Sequence, residues 1–384
     1  MSAAMTRFPR HAAALTALSQ RGRLRQRQPI SGIDFASNDY LGLARSVHLQ
    51  RAAQEALARG VPPGAGGARL LRGNHPEHEA LEAEAATFFG TEAALYMGGG
   101  FQANQALFAS LPMQGDLVLH DALIHASAHE GLRLGRASVQ GFRHNDVTHA
   151  ADLLRRWRAG GGTGRVWLAV EGIYSMEGDR APLADLVALA HAADAVLVVD
   201  EAHATGLHGP GGRGLAIGLA DHNDLALISL HTCGKGLGAS GALICAERVV
   251  IETLVTKARP FLFATAPAPL AAAVVRASLR LLDALPALRD DATRRMHHAQ
   301  AEAARLCGLG AFESQILPVV LGADARALAW AAALQARGFD IRAIRPPTVP
   351  RGTARLRISI TGGVTDAEIT TLFQALSELM RGPK

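Results

Sequence analysis

Short apolar runs alternate with amphipathic segments through the middle of the chain. Six runs are apolar almost throughout, at 95–97, 117–120, 165–170, 195–199, 225–230 and 241–245. Between or beside them, helical spacing of apolar residues occurs at 77–89, 102–110, 125–134 and 183–193. Fully apolar strands separated by helices are typical of a mainly parallel sheet that is covered on both faces. The pattern therefore predicts a large α/β domain.

The pattern changes at both ends of the chain. The first 30 residues favour a helix, and 35–43 predicts a short strand that runs into a turn. After Pro286, alternating helix and strand patterns occupy shorter segments, at 316–321, 328–337, 356–360 and 366–379. We predict an N-terminal helix and strand at 1–44, a large domain at 45–284 and a smaller α+β domain at 285–384.

Composition narrows the class of protein. The 384 residues are 49% hydrophobic and 19% charged, as expected for a globular protein. No apolar run approaches the roughly 18–20 residues that cross a bilayer. The start of the chain lacks the continuous apolar stretch of a secretion signal. Its cysteines (Cys233, Cys245 and Cys307) are spaced for neither disulfides nor zinc. We therefore expect a cytoplasmic protein without a metal site.

The net charge of +5 raises the question of an anionic partner. Most basic residues are arginines scattered among acids, which argues against nucleic acid as the partner. The densest patch, R-G-R-L-R-Q-R at 21–27, is most simply a solvated helix face. The alternative is a binding edge for an anionic small molecule or carrier.

Candidate chemistry centres on Lys235, which lies in the glycine-rich stretch H-T-C-G-K-G-L-G-A-S-G between two apolar runs. A lysine in such a pocket loses hydration, which lowers its pKa and frees its amine to attack a carbonyl. Taken alone, a solvated loop lysine is the commoner interpretation. The neighbouring strand ends change this balance.

Further polar residues follow the predicted strand ends, where ligands bind in open parallel sheets. Asp200 ends one apolar run, Glu171 ends another, and His203 lies just beyond the first. A carboxylate at the end of an apolar strand is costly unless a cation meets it. Pyridoxal phosphate needs both a lysine and an acidic partner for its ring nitrogen. Asp200 and Lys235 on successive strands therefore form a candidate site for this cofactor.

The sequence also contains a candidate phosphate-binding segment. Gly99 and Gly100 precede Phe101 at the start of a predicted helix, where free N–H groups and the helix dipole attract anions. Thr232 adds a hydroxyl three residues before the lysine. A simple tight turn at the glycines is the equally common alternative.

Three segments carry a specific resemblance to a known family. They are V-V-D-E-A-H-A-T-G, H-T-C-G-K-G-L-G-A-S-G and F-A-S-N-D-Y-L-G-L, and they resemble the α-oxoamine synthases. This resemblance implies the pyridoxal-phosphate fold type of aspartate aminotransferase and the decarboxylative condensation of an amino acid with an acyl thioester. The segment 343–361 further resembles the family member that uses L-alanine and a pimeloyl thioester of CoA or a carrier protein, in biotin biosynthesis.

The resemblance implies roles for individual residues around the cofactor. Lys235 is the Schiff-base lysine and later the general acid and base, and Asp200 pairs with the ring nitrogen. His125 stacks on the ring, while His203 and Ser175 hydrogen-bond its hydroxyl. The implied phosphate ligands are Gly100, Phe101 and Thr232, with Thr265 reaching the phosphate of a neighbouring subunit in a homodimer.

The resemblance also implies substrate contacts. Arg357 clamps the amino-acid carboxylate, although Arg355 lies on the same face of its strand and stays an alternative. Asn38 assists at that carboxylate. The acyl substrate is expected to meet Thr348. Its distal carboxylate is expected to meet an arginine of the N-terminal patch, for which we name Arg21, with Arg23 and Arg25 as open alternatives.

Two departures and several rival functions stay open. Ala65 stands where many relatives have a serine, and Gly98 begins a run of three glycines where a serine is common. The nearest rival is a sister synthase that uses glycine with acetyl-CoA or succinyl-CoA, or serine with a long acyl-CoA. An aminotransferase of the same fold and a catalytically silent binding subunit are further alternatives.

Overall fold

A computed structural model describes residues 6–219, 224–310 and 312–382. Its strands are β1 (Ile33–Asp34), β2 (Ala93–Met97), β3 (Leu117–Asp121), β4 (Ser138–Phe142), β5 (Val166–Glu171), β6 (Val196–Asp200), β7 (Ala226–Thr232), β8 (Ala242–Ala246), β9 (Ile316–Gly322), β10 (Phe339–Asp340), β11 (Arg342–Ile344) and β12 (Ala354–Ser359). The helices are α1 (Pro9–Gln20), α2 (Val47–Ala58), α3 (Pro76–Phe89), α4 (Gly100–Ser110), α5 (Ala126–Leu134), α6 (Val147–Ala159), α7 (Leu183–Ala193), α8 (Arg248–Lys257), α9 (Arg259–Leu262), α10 (Pro269–Ala284), α11 (Ala287–Cys307), α12 (Asp324–Ala336) and α13 (Asp366–Arg381).

The large sheet has seven strands in the order β2-β8-β7-β6-β5-β3-β4. Strands β3 to β7 run parallel, and β8 is antiparallel to both of its neighbours. Five of the strands are buried along their whole length, namely β2, β3, β5, β6 and β8. Burial on both faces explains their continuous apolar sequences. The predicted mainly parallel α/β sheet is confirmed.

Apolar clusters cover both faces of this sheet. On one face, α4 and α5 pack over Leu95, Val118 and Leu230. On the other face, the β3 and β5 region packs with α6 and α7, and α3 and α10 cover β2 and β8. This arrangement leaves the carboxyl ends of β5, β6 and β7 open to ligands.

A second sheet has the order β11-β12-β9 and is antiparallel throughout. Helices α11, α12 and α13 pack against it around Leu356, Ile358 and Phe373. The N-terminal segment joins this core, because β1 pairs in parallel with β10 and Phe35 packs beside Phe339. The predicted domain boundary at 284 falls between α10 and α11, and the division into domains stays a prediction.

One predicted strand is wrong in its position. The strand lies at β1, and 35–43 forms turns instead. The carboxylate of Asp34 accepts hydrogen bonds from the backbone N–H groups of Ala36 and Ser37, which turns the chain. In addition, α2, β4, α6 and the helices between β8 and α11 were not predicted.

Exposure explains two of these omissions. Only Phe142 of β4 is buried, and only Ala150 and Leu154 of α6. An edge strand and a surface helix need few apolar residues, so their sequence signal is weak. Across the described ranges, no helix combines the length and apolar character needed to span a bilayer.

Candidate active site

Lys235 lies in the loop that follows β7. A side chain at Gly236 would approach the Thr205 carbonyl to 2.3 Å, and Gly238 has a φ of +61°. Both glycines allow the loop to fold tightly against its neighbours. The Lys235 Nζ lies 2.8 Å from His203 Nε2, and burial lowers the pKa of the lysine to about 8. The amine is therefore partly neutral near physiological pH.

A hydrogen-bonded chain continues from His203. Its Nδ1 lies 2.6 Å from the Tyr40 hydroxyl, which donates to Asn38 Oδ1 at 3.0 Å. The pKa of His203 is far below its ordinary value because of burial and the nearby charge of Lys235. A neutral His203 accepts from the lysine at Nε2 and donates to Tyr40 from Nδ1.

Asp200 and Glu171 lie side by side at the ends of β6 and β5. Asp200 accepts from Asn104 Nδ2 at 2.7 Å and from the Ala202 N–H at 3.0 Å. Glu171 accepts from the Ser175 N–H, and its Oε1 has no partner among the described residues. Burial and the adjacent Asp200 raise the pKa of Glu171 well above its usual range. The two carboxyl groups therefore differ in their surroundings, since both oxygens of Asp200 accept hydrogen bonds and one oxygen of Glu171 does not.

His125 caps the N-terminus of α5. Its Nδ1 accepts from the Ser127 N–H at 3.2 Å and lies 2.7 Å from the Ser127 hydroxyl. Burial lowers the pKa of His125, so its ring is neutral at physiological pH. This ring lines the same cavity as Lys235.

The two candidate arginines on β12 differ in their partners. Arg355 forms an ion pair with Glu177 at 2.8 Å. Arg357 is buried and donates to the Ser175 carbonyl and the Ser359 hydroxyl. Within the described ranges no carboxylate pairs with Arg357, which leaves its charge available to an anionic ligand.

The start of α4 faces Thr232. A Cβ on Gly100 would lie 3.5 Å from Thr232 Oγ1, and no side chain caps this helix terminus. The side chain of Phe101 is exposed, so Phe101 offers an anion at this helix terminus only its backbone N–H. The uncapped N–H groups and the Thr232 hydroxyl suit an anion.

A cavity of about 260 Å³ brings six of the predicted residues together. It is lined by Asn38, His125, Ser175, His203, Lys235 and Arg357, with Ala36, Met176, Arg342 and Ile344. Asp200, Glu171 and Thr232 lie outside this lining, at the buried strand ends nearby.

Other predicted residues lie elsewhere. Thr348 accepts from Arg25 at 3.1 Å and lines a second cavity of about 660 Å³. This cavity also includes Arg23 and shares Arg342 and Ile344 with the smaller one. Arg21 lines neither cavity and is exposed, as is Thr265 in the loop before α10.

Comparisons with known proteins identify the family of this chain. The family model described as aminotransferase class I and II matches residues 30–376. An 8-amino-7-oxononanoate synthase of Anaeromyxobacter dehalogenans is 42% identical over 96% of this chain and 94% of its own length. One of Methylobacterium nodulans is 43% identical over 90% of this chain and 86% of its own. This chain belongs to the 8-amino-7-oxononanoate synthase family.

Solved structures support the predicted fold of this chain. A serine palmitoyltransferase from S. paucimobilis, solved with pyridoxal phosphate and myriocin, matches with a TM-score of 0.88 and 27% identity, covering 97% of both chains. An 8-amino-7-oxononanoate synthase from Francisella tularensis matches with a TM-score of 0.76 at 24% identity, covering 91% of this chain and 98% of that one. The predicted fold type is confirmed.

The cofactor of this family is pyridoxal phosphate, and the site fits it. Asp200 is a buried carboxylate that forms no ion pair in the parts of the chain described, so a protonated ring nitrogen would balance its charge. Lys235 offers an amine of lowered pKa, and the uncapped start of α4 offers phosphate donors. These three features match the three polar ends of the cofactor.

Sequence reasoning missed four residues at this site. Tyr40 and Asn104 hydrogen-bond directly to His203 and Asp200, Arg342 lines both cavities, and Gln315 donates to the His203 carbonyl. Tyr40 lies inside the quoted F-A-S-N-D-Y-L-G-L segment, so its sequence signal was available. Asn104 follows Gly100 by four residues on the same helix face, which was its signal.

Proposed function

We propose that this protein catalyses the decarboxylative condensation of L-alanine with a pimeloyl thioester. The products are 8-amino-7-oxononanoate, carbon dioxide and the free thiol of CoA or of a carrier protein. The observation that carries this proposal is the cavity in which Lys235, His203 and Arg357 converge, the arginine having no carboxylate partner among the described residues. Relatives that this chain matches over most of their length are named 8-amino-7-oxononanoate synthase.

The cofactor-binding residues follow from their positions. We assign Lys235 to covalent attachment, Asp200 to the ring nitrogen and His125 to the ring face. His203 and Ser175 are assigned to the ring hydroxyl. The phosphate is assigned to backbone N–H groups at Gly100 and Phe101 and to the Thr232 hydroxyl. When bound, the ring supplies an electron sink for negative charge on the α-carbon of the amino acid.

Lys235 is suited to move the α-proton. Its pKa of about 8 makes both the free amine and the ammonium accessible near neutral pH. The neutral His203, held by Tyr40, keeps the Nζ in place at 2.8 Å without adding a competing charge. Lys235 can therefore remove a proton from the substrate and return it after carbon dioxide leaves.

Arg357 is suited to bind the alanine carboxylate. Two of its nitrogens are fixed by Ser175 and Ser359, which orients the planar guanidinium toward the cavity. Asn38 lines the same cavity and adds an amide. We prefer Arg357 to Arg355 because Glu177 already neutralises Arg355.

The larger cavity is suited to the acyl chain. It adjoins the smaller one at Arg342 and Ile344, and Thr348, Arg23 and Arg25 provide polar contacts along it. Arg23 pairs with Asp324, whereas Arg25 donates to Thr348 and forms no ion pair across the described ranges. Arg21 stays a candidate only if the substrate or a second subunit reaches beyond this cavity.

We also infer a homodimer in the cytoplasm. Large apolar side chains stay exposed at Phe101 in the first turn of α4, at Phe263 directly after α9, which packs against α4, and at Leu71. A second subunit would cover them and would bring its Thr265 toward the phosphate. All three cysteines are free thiols, which suits a reducing compartment.

A substrate panel tests the function. The purified full-length chain with pyridoxal phosphate is assayed with L-alanine, glycine and L-serine, each with pimeloyl-, acetyl-, succinyl- and palmitoyl-CoA, and products are identified by mass spectrometry. We expect L-alanine with pimeloyl-CoA to give the highest kcat/KM. Preference for glycine or serine would assign a sister reaction, and amino transfer to a keto acid without thioester would indicate an aminotransferase.

A further inference from the structure

A buried hydrogen-bond chain joins His125 to Asp200 through two side chains that have no assigned role. Asn104 Nδ2 lies 2.7 Å from Asp200 Oδ2 and 3.0 Å from Ser127 Oγ. Ser127 Oγ lies 2.7 Å from His125 Nδ1. Asn104 is 3% exposed and Ser127 fully buried, so water does not compete with these bonds.

The direction of every bond in this chain follows from the contacts of Asp200. Its Oδ1 accepts from the Ala202 N–H and its Oδ2 from the amide nitrogen of Asn104. The second amide hydrogen of Asn104 then points to Ser127 Oγ. The single hydroxyl hydrogen of Ser127 is left for His125 Nδ1.

This direction determines the protonation of the imidazole ring. His125 Nδ1 receives both the hydroxyl and the backbone N–H of Ser127, so it carries no proton. A neutral imidazole must then hold its proton on Nε2. The Asp200 carboxyl group and the tautomer of His125 are therefore linked by hydrogen bonds that cross from α4 to α5.

We propose that Asn104 and Ser127 are positioning residues that hold His125 as the Nε2–H tautomer and fix the Asp200 carboxylate for the cofactor. Neither residue touches the reacting atoms. Asn104 supplies one of the two donors to Asp200, the other being the Ala202 N–H. The hydrogen-bond chain is independent of the proposed function, and only the roles of Asp200 and His125 toward the cofactor rest on that function.

Packing between helices is the competing explanation for both residues. Helices α4 and α5 approach closely, since a Cβ on Gly131 would lie 2.9 Å from the Asn104 carbonyl. A packing role would change thermal stability when either side chain is altered. It would not change which ring nitrogen of His125 is protonated.

The test measures that tautomer directly. The full-length chain is labelled with ¹⁵N at histidine, and the ring nitrogens of His125 are followed by NMR with and without pyridoxal phosphate. His125→Gln assigns the signals. The variants are Ser127→Ala and Asn104→Leu, which remove donors without adding charge, with the exposed Ser138→Ala as the matched hydroxyl deletion.

We expect a single Nε2–H tautomer in the wild type and in Ser138→Ala. A mixture of tautomers is expected in Ser127→Ala, where only the backbone N–H at 3.2 Å still bonds to Nδ1, and in Asn104→Leu, where the Ser127 hydroxyl is no longer oriented by an amide donor. Pyridoxal phosphate affinity, measured by absorbance titration, should fall about tenfold in Asn104→Leu, as loss of one charge-assisted hydrogen bond implies. An unchanged tautomer in both variants overturns the proposal. If Asn104→Leu does not fold, Ser127→Ala decides alone. The tautomer is read without turnover, so this result is independent of the substrate panel.

Discussion

At the scale of single residues, the basic side chains of the site differ in whether a carboxylate lies beside them. Lys235 and Arg357 have no carboxylate at salt-bridge distance in the described parts of the chain, and His203 lies beside the lysine as a neutral ring. Arg355 is already paired with Glu177. Arg357 is therefore the arginine of this strand that is open to an amino-acid carboxylate.

The first prediction separates the two arginines. Arg357→Lys should raise KM for L-alanine by about 10- to 100-fold, because one ammonium cannot replace a planar donor held by Ser175 and Ser359. Arg355→Lys keeps a cation beside Glu177 and should change that KM less than threefold. Steady-state kinetics at saturating thioester measures both. The assignment would be reversed if Arg355→Lys had the larger effect.

At the scale of elements, the loop after β7 depends on glycines. Gly236→Ala should destabilise the protein by at least about 2 kcal/mol, because its new methyl group would overlap the Thr205 carbonyl. Gly234→Ala is the control, since its nearest atom would lie at 3.8 Å. Chemical denaturation compares the two. Equal effects would show that the loop tolerates a side chain at Gly236.

A charged cluster holds two site loops together. His144 bonds to Asp121 at 2.9 Å and to Asp179 at 2.8 Å, which joins the segment before His125 to the segment that carries Ser175. Burial alone would lower the pKa of His144, but these two carboxylates raise it to about 10. Because the folded pKa exceeds the unfolded one, the stabilisation is complete below about pH 6.5 and is lost as the pH approaches 10.

His144→Gln should therefore cost about 2 kcal/mol of stability at pH 6, with the difference from wild type shrinking toward pH 10. Urea denaturation at pH 6, 8 and 10 gives the values, with the exposed His48→Gln as the control. A difference that stays constant with pH would mean that His144 acts by packing and not by charge.

The burial of each element explains whether the sequence could predict it. Strands such as β5 and β6 are buried on both faces, so their apolar runs identify them and place Glu171 and Asp200 at their ends. The exposed β4 and α6 lack that signal. Asn104 and Tyr40 lie in segments that the sequence marks as important, but their contacts with Asp200 and His203 could not be predicted, because these contacts depend on how separate elements pack.

At the scale of the whole molecule, the candidate active-site cavity lies where three parts of the chain meet. Asn38 comes from the N-terminal segment, Lys235 from the large sheet and Arg357 from the small sheet. The proposed phosphate site at the start of α4 lies beside Phe101, whose side chain is exposed. We propose that a second subunit covers this side chain and completes the site.

The dimer itself is the next prediction. Sedimentation of the full-length chain at micromolar concentration should show a dimer, and Thr265→Ala should weaken pyridoxal phosphate binding about threefold to tenfold by removing a hydroxyl donor. Thr253→Ala, on the exposed surface of α8, is the control. A fully active monomer would contradict shared sites.

The assignment of Lys235 as the cofactor-binding residue underlies the entire account. The chain has three lysines, Lys235, Lys257 and Lys384, which makes the attachment point unambiguous. The full-length protein is loaded with pyridoxal phosphate, treated with borohydride to fix the cofactor to its amine, digested and mapped by mass spectrometry. We predict that the phosphopyridoxyl group is found on Lys235 and is lost in Lys235→Ala. Attachment to Lys257 or Lys384 in the wild type, with Lys235 unmodified, would contradict the account.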